Sequence, residues 1–216
     1  MIDLHTHTLL SDGGLLPSEL VRRAEFIGYR ILAITDHADA SNIDFVVPRI
    51  VRVSEELNGR QSVKVIPGVE LTHCPPDTIA GLFKRALELG ARWVVVHGES
   101  LVEPVSPNTN RAAIDAGVHL LAHPGLITEE EIKKARDKGV LLELSTRKGH
   151  SLSNGHVARL AKQTGAGLTL NTDAHSPGDL ITSAFAQTVA QGAGLTPEEF
   201  QSLIRETEEF LKARIF

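Results

Sequence analysis

Histidine and carboxylate side chains follow one apolar run after another in this sequence. Imidazole nitrogens and carboxylate oxygens that converge form a borderline-hard donor set, which suits Zn²⁺, Mn²⁺ or Fe²⁺. The only cysteine, Cys74, stands alone, so no thiolate cluster is offered. Six of the ten histidines and three carboxylates stand at or just beyond the ends of such runs: His5, His7, Asp12, His37, Glu70, His97, His123, Asp173 and His175.

The spacing within two pairs of these residues places their side chains on one face. Residues two apart on an extended segment point the same way, so His5 and His7 face one pocket, as do Asp173 and His175. The first and last strands of a closed barrel are neighbours, and we therefore expect the two pairs to meet. One histidine behind a strand is usually an ordinary polar residue, but nine donors spread over six strand ends predict a metal site.

The elements that must position these donors are short apolar runs that alternate with helical patterns. Several helical patterns are followed closely by a glycine, as a helix C-terminus favours. Predicted strands cover residues 2–5, 31–35, 63–70, 93–97, 118–123, 140–145 and 168–172. The first predicted helix begins at Pro17 and ends at Gly28. The other predicted helices cover about 47–57, 77–89, 109–116, 129–138, 153–164, 179–191 and 197–213.

Seven strands that alternate strictly with helices predict an α/β fold with a parallel sheet. An open doubly wound sheet is one solution, but no Gly-rich phosphate loop follows the first strand. A closed or nearly closed barrel fits better, because barrel enzymes carry their functional groups at the C-terminal strand ends. With 216 residues and no linker or repeat, one domain spanning residues 1–216 is expected.

Composition and charge limit the classes of binding partner and the cellular compartment that the sequence predicts. The net charge of −5 and the scarcity of aromatic residues, with one Trp and one Tyr, disfavour an extended nucleic-acid groove. We find no signal peptide and no apolar run of membrane-spanning length, so no membrane contact is expected. The lone cysteine favours a reducing compartment, and the sequence predicts a cytoplasmic protein. Nothing in the sequence indicates the oligomeric state.

The motifs together resemble those of the PHP (polymerase and histidinol phosphatase) family, in the family's order over residues 3–175. The resemblance implies a distorted (β/α)7 barrel, TIM-barrel-like, with a trinuclear site for divalent zinc, manganese or iron. The matching pieces are Asp3-Leu4-His5-Thr6-His7 with Ser11-Asp12-Gly13, Thr35-Asp36-His37, Gly68-Val69-Glu70, His97, Ala122-His123-Pro124 and Thr172-Asp173-Ala174-His175.

The resemblance also divides the nine donors into three ligand sets. In some family members the position of Asp12 holds a histidine, and aspartate is a common alternative. Glu70, Asp173 and His175 are predicted to take part directly in catalysis. The implied sets are His5, His7, Glu70 and Asp173 for a first ion, Glu70 with His97 and His123 for a second, and Asp12, His37 and His175 for a third.

The chemistry that this arrangement implies is hydrolysis of a phosphate ester. Two ions that share a carboxylate lower the pKa of a bridging water and present hydroxide to phosphorus, while a third neutralises charge on the phosphate. A small phosphomonoester is favoured, such as histidinol phosphate, a nucleotide or a sugar phosphate. The predicted substrate contacts are Arg147, Arg111 and His73, although each arginine has an equal interpretation as an ordinary surface charge.

Four other polar residues receive separate interpretations. His119 lies inside a predicted strand and is expected to be a hydrogen-bonded core residue. His150 and His156 lie in or beside a polar loop and are expected to be solvated. Asp36 has two open interpretations, as a carboxylate that orients a metal ligand or as a helix cap.

Three alternative functions remain open at this level. A phosphodiesterase or 3′–5′ exonuclease would use the same ligands. An amidohydrolase or TatD-like nuclease would also begin with a His-x-His strand end, but neither explains Asp12, His37 and His175 as a ligand set. A non-catalytic metal-binding or partner-docking domain would be expected to have lost ligands, and none of the nine is missing.

Overall fold

Parallel strands alternate with helices along the whole chain in the computed structural model, which describes residues 1–216. Each of the seven predicted strands is present, and their residues are almost all buried because helices cover the outer face of the sheet. A short addition, β3, pairs with β4. The strands are β1 (Ile2–Asp3), β2 (Ile31–Ile34), β3 (His37–Ala38), β4 (Lys64–Leu71), β5 (Trp93–His97), β6 (Leu120–Ala122), β7 (Leu141–Ser145) and β8 (Leu168–Asn171).

Eight helices pack around these strands. Side-chain caps start several of them; Thr128 and Thr196 each form a reciprocal capping box with the glutamate three residues on. None of the helices combines the length and apolar character needed to cross a membrane. The helices are α1 (Pro17–Ile27), α2 (Ile43–Asn58), α3 (Ile79–Glu88), α4 (Thr109–Ala116), α5 (Glu129–Lys138), α6 (Asn154–Thr164), α7 (Ser183–Gly192) and α8 (Pro197–Arg214).

The sheet runs in the order β1-β2-β4-β5-β6-β7-β8, and every paired strand is parallel to its neighbour. The two ends of this order approach each other where Thr6, beyond β1, forms a parallel bridge with Ala174, beyond β8. The sheet is thus nearly closed into a distorted barrel, as the sequence predicts. His5 and His7 therefore lie beside Asp173 and His175.

Strand alternation places apolar residues deep in the barrel and polar residues at its mouth. Trp93, Val95 and His97 share one face of β5. Trp93 and Val95 are fully buried with Leu4 in a cluster at the N-terminal end of the strands, which the C-terminal part of α8 covers. The indole N–H of Trp93 donates to the carbonyl of Leu4 at 2.9 Å. His97 follows two residues later at the opposite, functional end.

Two helices begin four residues away from their predicted starts, and the other helix boundaries differ by two residues or fewer. Helix α2 begins at Ile43, four residues earlier than expected, and continues through Pro48 at the cost of one backbone hydrogen bond. Helix α7 begins at Ser183 rather than 179, because Asp179 belongs to a separate 3₁₀ turn. The carboxylate of Asp179 accepts hydrogen bonds from the backbone N–H groups of His175 and Ser176, at 2.9 and 2.7 Å.

Candidate metal site

The nine predicted ligands converge at the C-terminal end of the barrel. Glu70 and His97 lie on β4 and β5, and the others lie on the segments just beyond the strands or, for His37, at the start of β3. His123 and Asp173 adopt left-handed backbone conformations, with φ of 27° and 52°. Such conformations are uncommon for residues other than glycine and concentrate at functional sites, where the surrounding structure holds them.

The first predicted set is buried and tightly clustered. His5 Nε2 lies 3.2 Å from Glu70 Oε1, and His7 Nε2 lies 3.2 Å from Asp173 Oδ1. His5 Nε2 is also 3.7 Å from Asp173 Oδ1. The side chains of both histidines and of Glu70 are completely buried. Glu70 and Asp173 therefore each face the imidazoles of both His5 and His7.

The third predicted set lies nearer the solvent. Asp12 Oδ1 is 3.4 Å from His37 Nε2 and 3.3 Å from His175 Nε2, and the two imidazole nitrogens are 3.4 Å apart. His7 belongs to the same group of donors. Because ligand bonds of about 2.1 Å in a tetrahedral zinc site put neighbouring donor atoms about 3.4 Å apart, this spacing matches one shared ion.

The second predicted set is looser than the other two. His123 Nε2 lies 3.9 Å from both Glu70 Oε1 and Asp173 Oδ2, and the rings of His97 and His123 meet edge to face with centroids 4.4 Å apart. The imidazole Nε2 of His97 instead lies 2.9 Å from Glu103 Oε2, a residue outside the nine. This part of the site therefore contains donors that the predicted set omits.

Buried polar atoms without hydrogen-bond partners test whether metal ions fit. Seven such atoms occur, and five of them lie at the site: His5 Nε2, both ring nitrogens of His7, Glu70 Oε1 and His123 Nδ1. Unpaired buried polar groups are costly and therefore rare in folded proteins. Four of the five atoms belong to the first predicted set, and a divalent cation would satisfy lone pairs that no protein donor reaches. The residues present fit bound metal.

Glu143, on β7, is a site residue that the sequence interpretation missed. Its Oε1 accepts a hydrogen bond from His5 Nδ1 at 2.9 Å and one from Asn171 Nδ2 at 2.9 Å. Its Oε2 accepts from the backbone N–H of His123 at 3.0 Å. A proton held on Nδ1 leaves Nε2 of His5 free to bind metal. The available signal was a lone carboxylate inside the apolar strand Leu141–Ser145.

Asp36 supports the loop between the first ligands. Its carboxylate accepts hydrogen bonds from the backbone N–H of Thr8 at 2.8 Å, the hydroxyl of Thr8 at 2.7 Å and that of Ser11 at 2.7 Å. It caps no helix, so that interpretation is wrong, and it makes no direct contact with the side chain of a predicted ligand. It instead positions the segment that leads from His7 to Asp12.

Burial and neighbouring charges shift the pKa values of the ligands. Burial, reinforced by the nearby imidazole of His37, holds the pKa of His7 well below its usual value. Burial and the neighbours His97 and His150 do the same to the pKa of His123. Both rings are therefore neutral, which is the form that binds metal. Burial raises the pKa of Asp173 to about 7, a shift that a bound cation would oppose.

The three predicted substrate contacts have different positions. Arg147 lies at the site: its Nη1 donates to the carbonyl of Asp173 at 3.0 Å. His73 lines the same cavity, with Nε2 3.3 Å from Glu103 Oε2. Arg111 does not reach the cavity. Its exposed side chain lies on α4, 4.0 Å from Asp115 one helical turn away, so its predicted phosphate contact is wrong.

The remaining histidines are only partly as predicted. His119 is a core residue, since its Nδ1 accepts from the backbone N–H of Val94 and its ring stacks on Trp93. His156 is partly buried and donates from Nε2 to the carbonyl of Ile127 at 2.7 Å. His150 is buried beside the predicted ligands His97 and His123, so its predicted solvation is wrong. A 3₁₀ turn after β7 carries it inward.

Several of the predicted ligands and their neighbours border an open cavity of about 260 Å³ that has no hydrophobic lining residue. Its size suits a phosphate group with its ions, and its lining offers donors and one guanidinium for an anion. The lining residues are Asp12, His37, Thr72, His73, His97, Glu103, Arg147, His150, Asp173 and His175.

Fold and site together are those of a class of protein, the metal-dependent hydrolases built on a parallel barrel. Comparison with family models identifies the family: the model of the PHP domain matches residues 3–214. The chain belongs to the PHP domain family. This confirms the resemblance drawn from the sequence motifs and the assignment as a metal-dependent phosphoesterase.

Relatives and solved structures agree with this placement. An uncharacterized protein of Methanocaldococcus jannaschii is 46% identical over 213 residues, which is 97% of this chain and 98% of the relative. A protein of Clostridium novyi named as a probable phosphatase is 28% identical over 202 residues, covering 81% of this chain and 79% of that protein.

Two solved structures share the fold at 16% identity. One belongs to archaeal ribonuclease P with mature tRNA, with a TM-score of 0.70 over 98% of this chain and 90% of that chain. The other is histidinol phosphate phosphatase from Lactococcus lactis complexed with zinc, L-histidinol and phosphate, with a TM-score of 0.64 over 90% and 94%. At this identity the likeness establishes the fold alone.

Proposed function

We propose that this protein hydrolyses a small phosphomonoester at a site that holds three divalent metal ions. The observation that carries the proposal is the set of buried, unpaired imidazole and carboxylate atoms clustered with residues that line a polar cavity open to solvent. The Lactococcus lactis structure, with zinc, L-histidinol and phosphate bound on the same fold, supports this substrate class.

Bound divalent ions would supply the Lewis acidity and positive charge that activate water and stabilise the phosphate charge. Glu70 is placed to serve two ions at once. Its Oε1 lies 3.2 Å from His5 Nε2 of the first predicted set and 3.9 Å from His123 Nε2 of the second. Asp173 likewise offers Oδ1 to His7 and Oδ2 towards His123, at 3.2 and 3.9 Å. These two carboxylates would hold the ligand sets together.

The protein's own residues also orient the substrate. The Arg147 guanidinium lies at the cavity wall, one third exposed, with Nε 3.6 Å from Asp173 Oδ2. Guanidinium groups bind phosphate oxygens in a fork-like geometry, and we assign that role to Arg147. His175 would stay oriented by its Nδ1, which is 2.9 Å from the carbonyl of Asp173. No serine or cysteine nucleophile is required.

A substrate screen tests the proposal. The purified protein would be loaded with Mn²⁺ or Zn²⁺, its metal content measured, and its activity compared on phosphomonoesters such as histidinol phosphate, nucleotides and sugar phosphates. Phosphodiesters and single-stranded oligonucleotides form the matched second panel. Faster turnover of monoesters is expected. Preference for the diesters would replace the proposal with a phosphodiesterase or exonuclease, and activity on amides alone would reject both.

A further inference from the structure

A second group of donors lies against the nine predicted ligands, on the side of β5 and β7. It consists of Glu103, in the loop between β5 and α4, and His150, in the 3₁₀ turn between β7 and α6. His97 and His73 complete its surroundings. Neither Glu103 nor His150 belongs to the predicted ligand sets.

His150 is held as metal-binding histidines are held. Its side chain is 4% exposed, and its Nδ1 lies 2.7 Å from the hydroxyl of Ser100. Histidines that bind metal usually donate their other ring N–H to such an oxygen, which fixes the tautomer and directs the free nitrogen. The free Nε2 of His150 points to Glu103 Oε1 at 3.3 Å and Asp173 Oδ2 at 3.8 Å.

The ring of His150 also stacks on that of His123, with centroids 4.0 Å apart and planes 17° apart. Two parallel buried imidazoles at this distance are compatible when both are neutral, which leaves both Nε2 lone pairs available. Both nitrogens approach the same atom, Asp173 Oδ2, at 3.8 and 3.9 Å. The lone pairs therefore converge on one region of the cavity.

Glu103 faces three imidazoles at once. Its Oε2 lies 2.9 Å from His97 Nε2 and 3.3 Å from His73 Nε2, while its Oε1 lies 3.3 Å from His150 Nε2. These separations match those among Asp12, His37 and His175 in the third ligand set. His97 is itself oriented by Nδ1, which is 3.2 Å from the carbonyl of Gly98.

We propose that Glu103 and His150 are two additional metal ligands, which complete the coordination of the divalent ion bound by His97 and His123. This explains why the predicted second set, Glu70 with His97 and His123, is looser than the other two. The inference rests on the proposed metal site and adds to it two residues from the segments that follow β5 and β7.

Metal-binding measurements on two variants test this inference. Glu103→Gln removes the charge but keeps the size of the side chain, and at 36% exposure it should not disturb folding. His150→Gln removes the imidazole. His156→Gln is the matched control, because it removes a partly buried histidine outside the cluster. Circular dichroism would verify that each variant is folded.

Each protein would be stripped, reloaded with Zn²⁺ or Co²⁺, and assayed for metal content and for Co²⁺ affinity against a competing chelator. The visible absorption of Co²⁺ reports the number and type of ligands. We expect Glu103→Gln and His150→Gln each to weaken one of the bound ions about 10–100-fold or more and to alter the Co²⁺ spectrum. The control should match the wild type.

Unchanged metal content, affinity and Co²⁺ spectrum in Glu103→Gln would overturn the inference. If turnover nevertheless fell in that variant, Glu103 would be a substrate contact. If His150→Gln failed to fold, Glu103→Gln would still decide the matter. Failure of this inference can be distinguished from failure of the proposed function. If the wild type showed no phosphoesterase activity but both variants bound metal more weakly than the wild type, the proposed function would be refuted and the two added ligands supported.

Discussion

At the scale of single residues, the site depends on side chains whose orientation is fixed by partners behind them. Glu143 holds His5, Ser100 holds His150, and Asp36 holds the loop that carries Asp12. His5 shows the arrangement: its Nε2 has no hydrogen-bond partner, while its Nδ1 is hydrogen-bonded to Glu143. Preorganisation of this kind reduces the reorganisation that metal and substrate binding would otherwise require.

Replacement of His97 by alanine should reduce phosphoesterase turnover by at least about 100-fold. The change removes an imidazole at the cavity floor and with it a ligand that the second ion needs. The fold should survive, because His97 ends β5 and contributes little apolar packing. Steady-state kinetics and thermal melting, with His156→Ala as control, check both parts. Turnover equal to the wild type would contradict the assignment of this residue.

Replacement of Glu143 by glutamine should lower metal affinity about 10–100-fold, although Glu143 touches no ion. The carboxylate accepts from His5 on one oxygen and from the His123 backbone on the other. An amide has only one acceptor, so one of these donors loses its partner. Chelator competition measures the affinity. Wild-type affinity in this variant would show that Glu143 is a core residue without influence on the ligands.

At the scale of elements, contacts between neighbouring strands hold the strand ends that carry the predicted ligands. Strands β5 and β6 are joined by a half-buried contact at His119, just before β6, whose Nδ1 accepts a hydrogen bond from the backbone N–H of Val94 at 3.0 Å. Burial, together with the charge of Arg214, lowers the pKa of His119 to about 4. This histidine is therefore neutral in the folded protein at moderately acidic pH.

The lowered pKa of His119 predicts a pH dependence of stability. The unfolded chain binds a proton near pH 6.5 and the folded one only near pH 4, so protonation favours unfolding between these values. The stabilisation is complete above pH 6.5 and is lost as the pH falls towards 4. The free energy of unfolding lost over this pH range is at most about 3 kcal/mol.

Urea unfolding of the wild type and of His119→Gln at a series of pH values measures this contribution. The difference between their free energies of unfolding should shrink as the pH falls from 6.5 to 4, because glutamine does not titrate. A difference that stays constant over this range would mean that His119 protonates equally well in the folded state.

At the scale of the whole molecule, metal binding should couple to both stability and activity. Cations that bind only the folded barrel stabilise it by mass action, by about 2.7 kcal/mol per site at a concentration 100 times the dissociation constant. Chelation should therefore lower the melting temperature and abolish turnover together, and added Mn²⁺ or Zn²⁺ should restore both. Differential scanning calorimetry with parallel assays provides the measurement.

A lower melting temperature without any effect on turnover would instead indicate a structural metal domain. If chelation changed neither the melting temperature nor the turnover, the buried histidines would bind no metal. Wild-type protein treated with chelator already saturated with Zn²⁺ is the control, because it separates metal removal from a direct effect of the chelator.

The sequence alone determined the parallel α/β barrel and the convergence of the nine donors. Strand alternation gives each strand end a defined face, and parallel strands bring all their C-terminal ends to one side of the sheet. The pair His5 and His7 could therefore be placed beside the pair Asp173 and His175 from their spacing behind apolar runs, whereas the grouping with Glu70 followed from the family resemblance. The same logic assigned His119 to the core, because it lies within a predicted strand rather than beyond its end.

Only the tertiary structure decided what the loops and the supporting residues do. His150 enters the site because Gly149, at φ 92°, turns the chain inward, and Arg111 leaves it because α4 carries that side chain to the surface. Glu143 and Glu103 become site residues through partners far apart in sequence. Periodicity describes directions within one element, whereas loop paths and contacts between elements depend on how the whole chain packs.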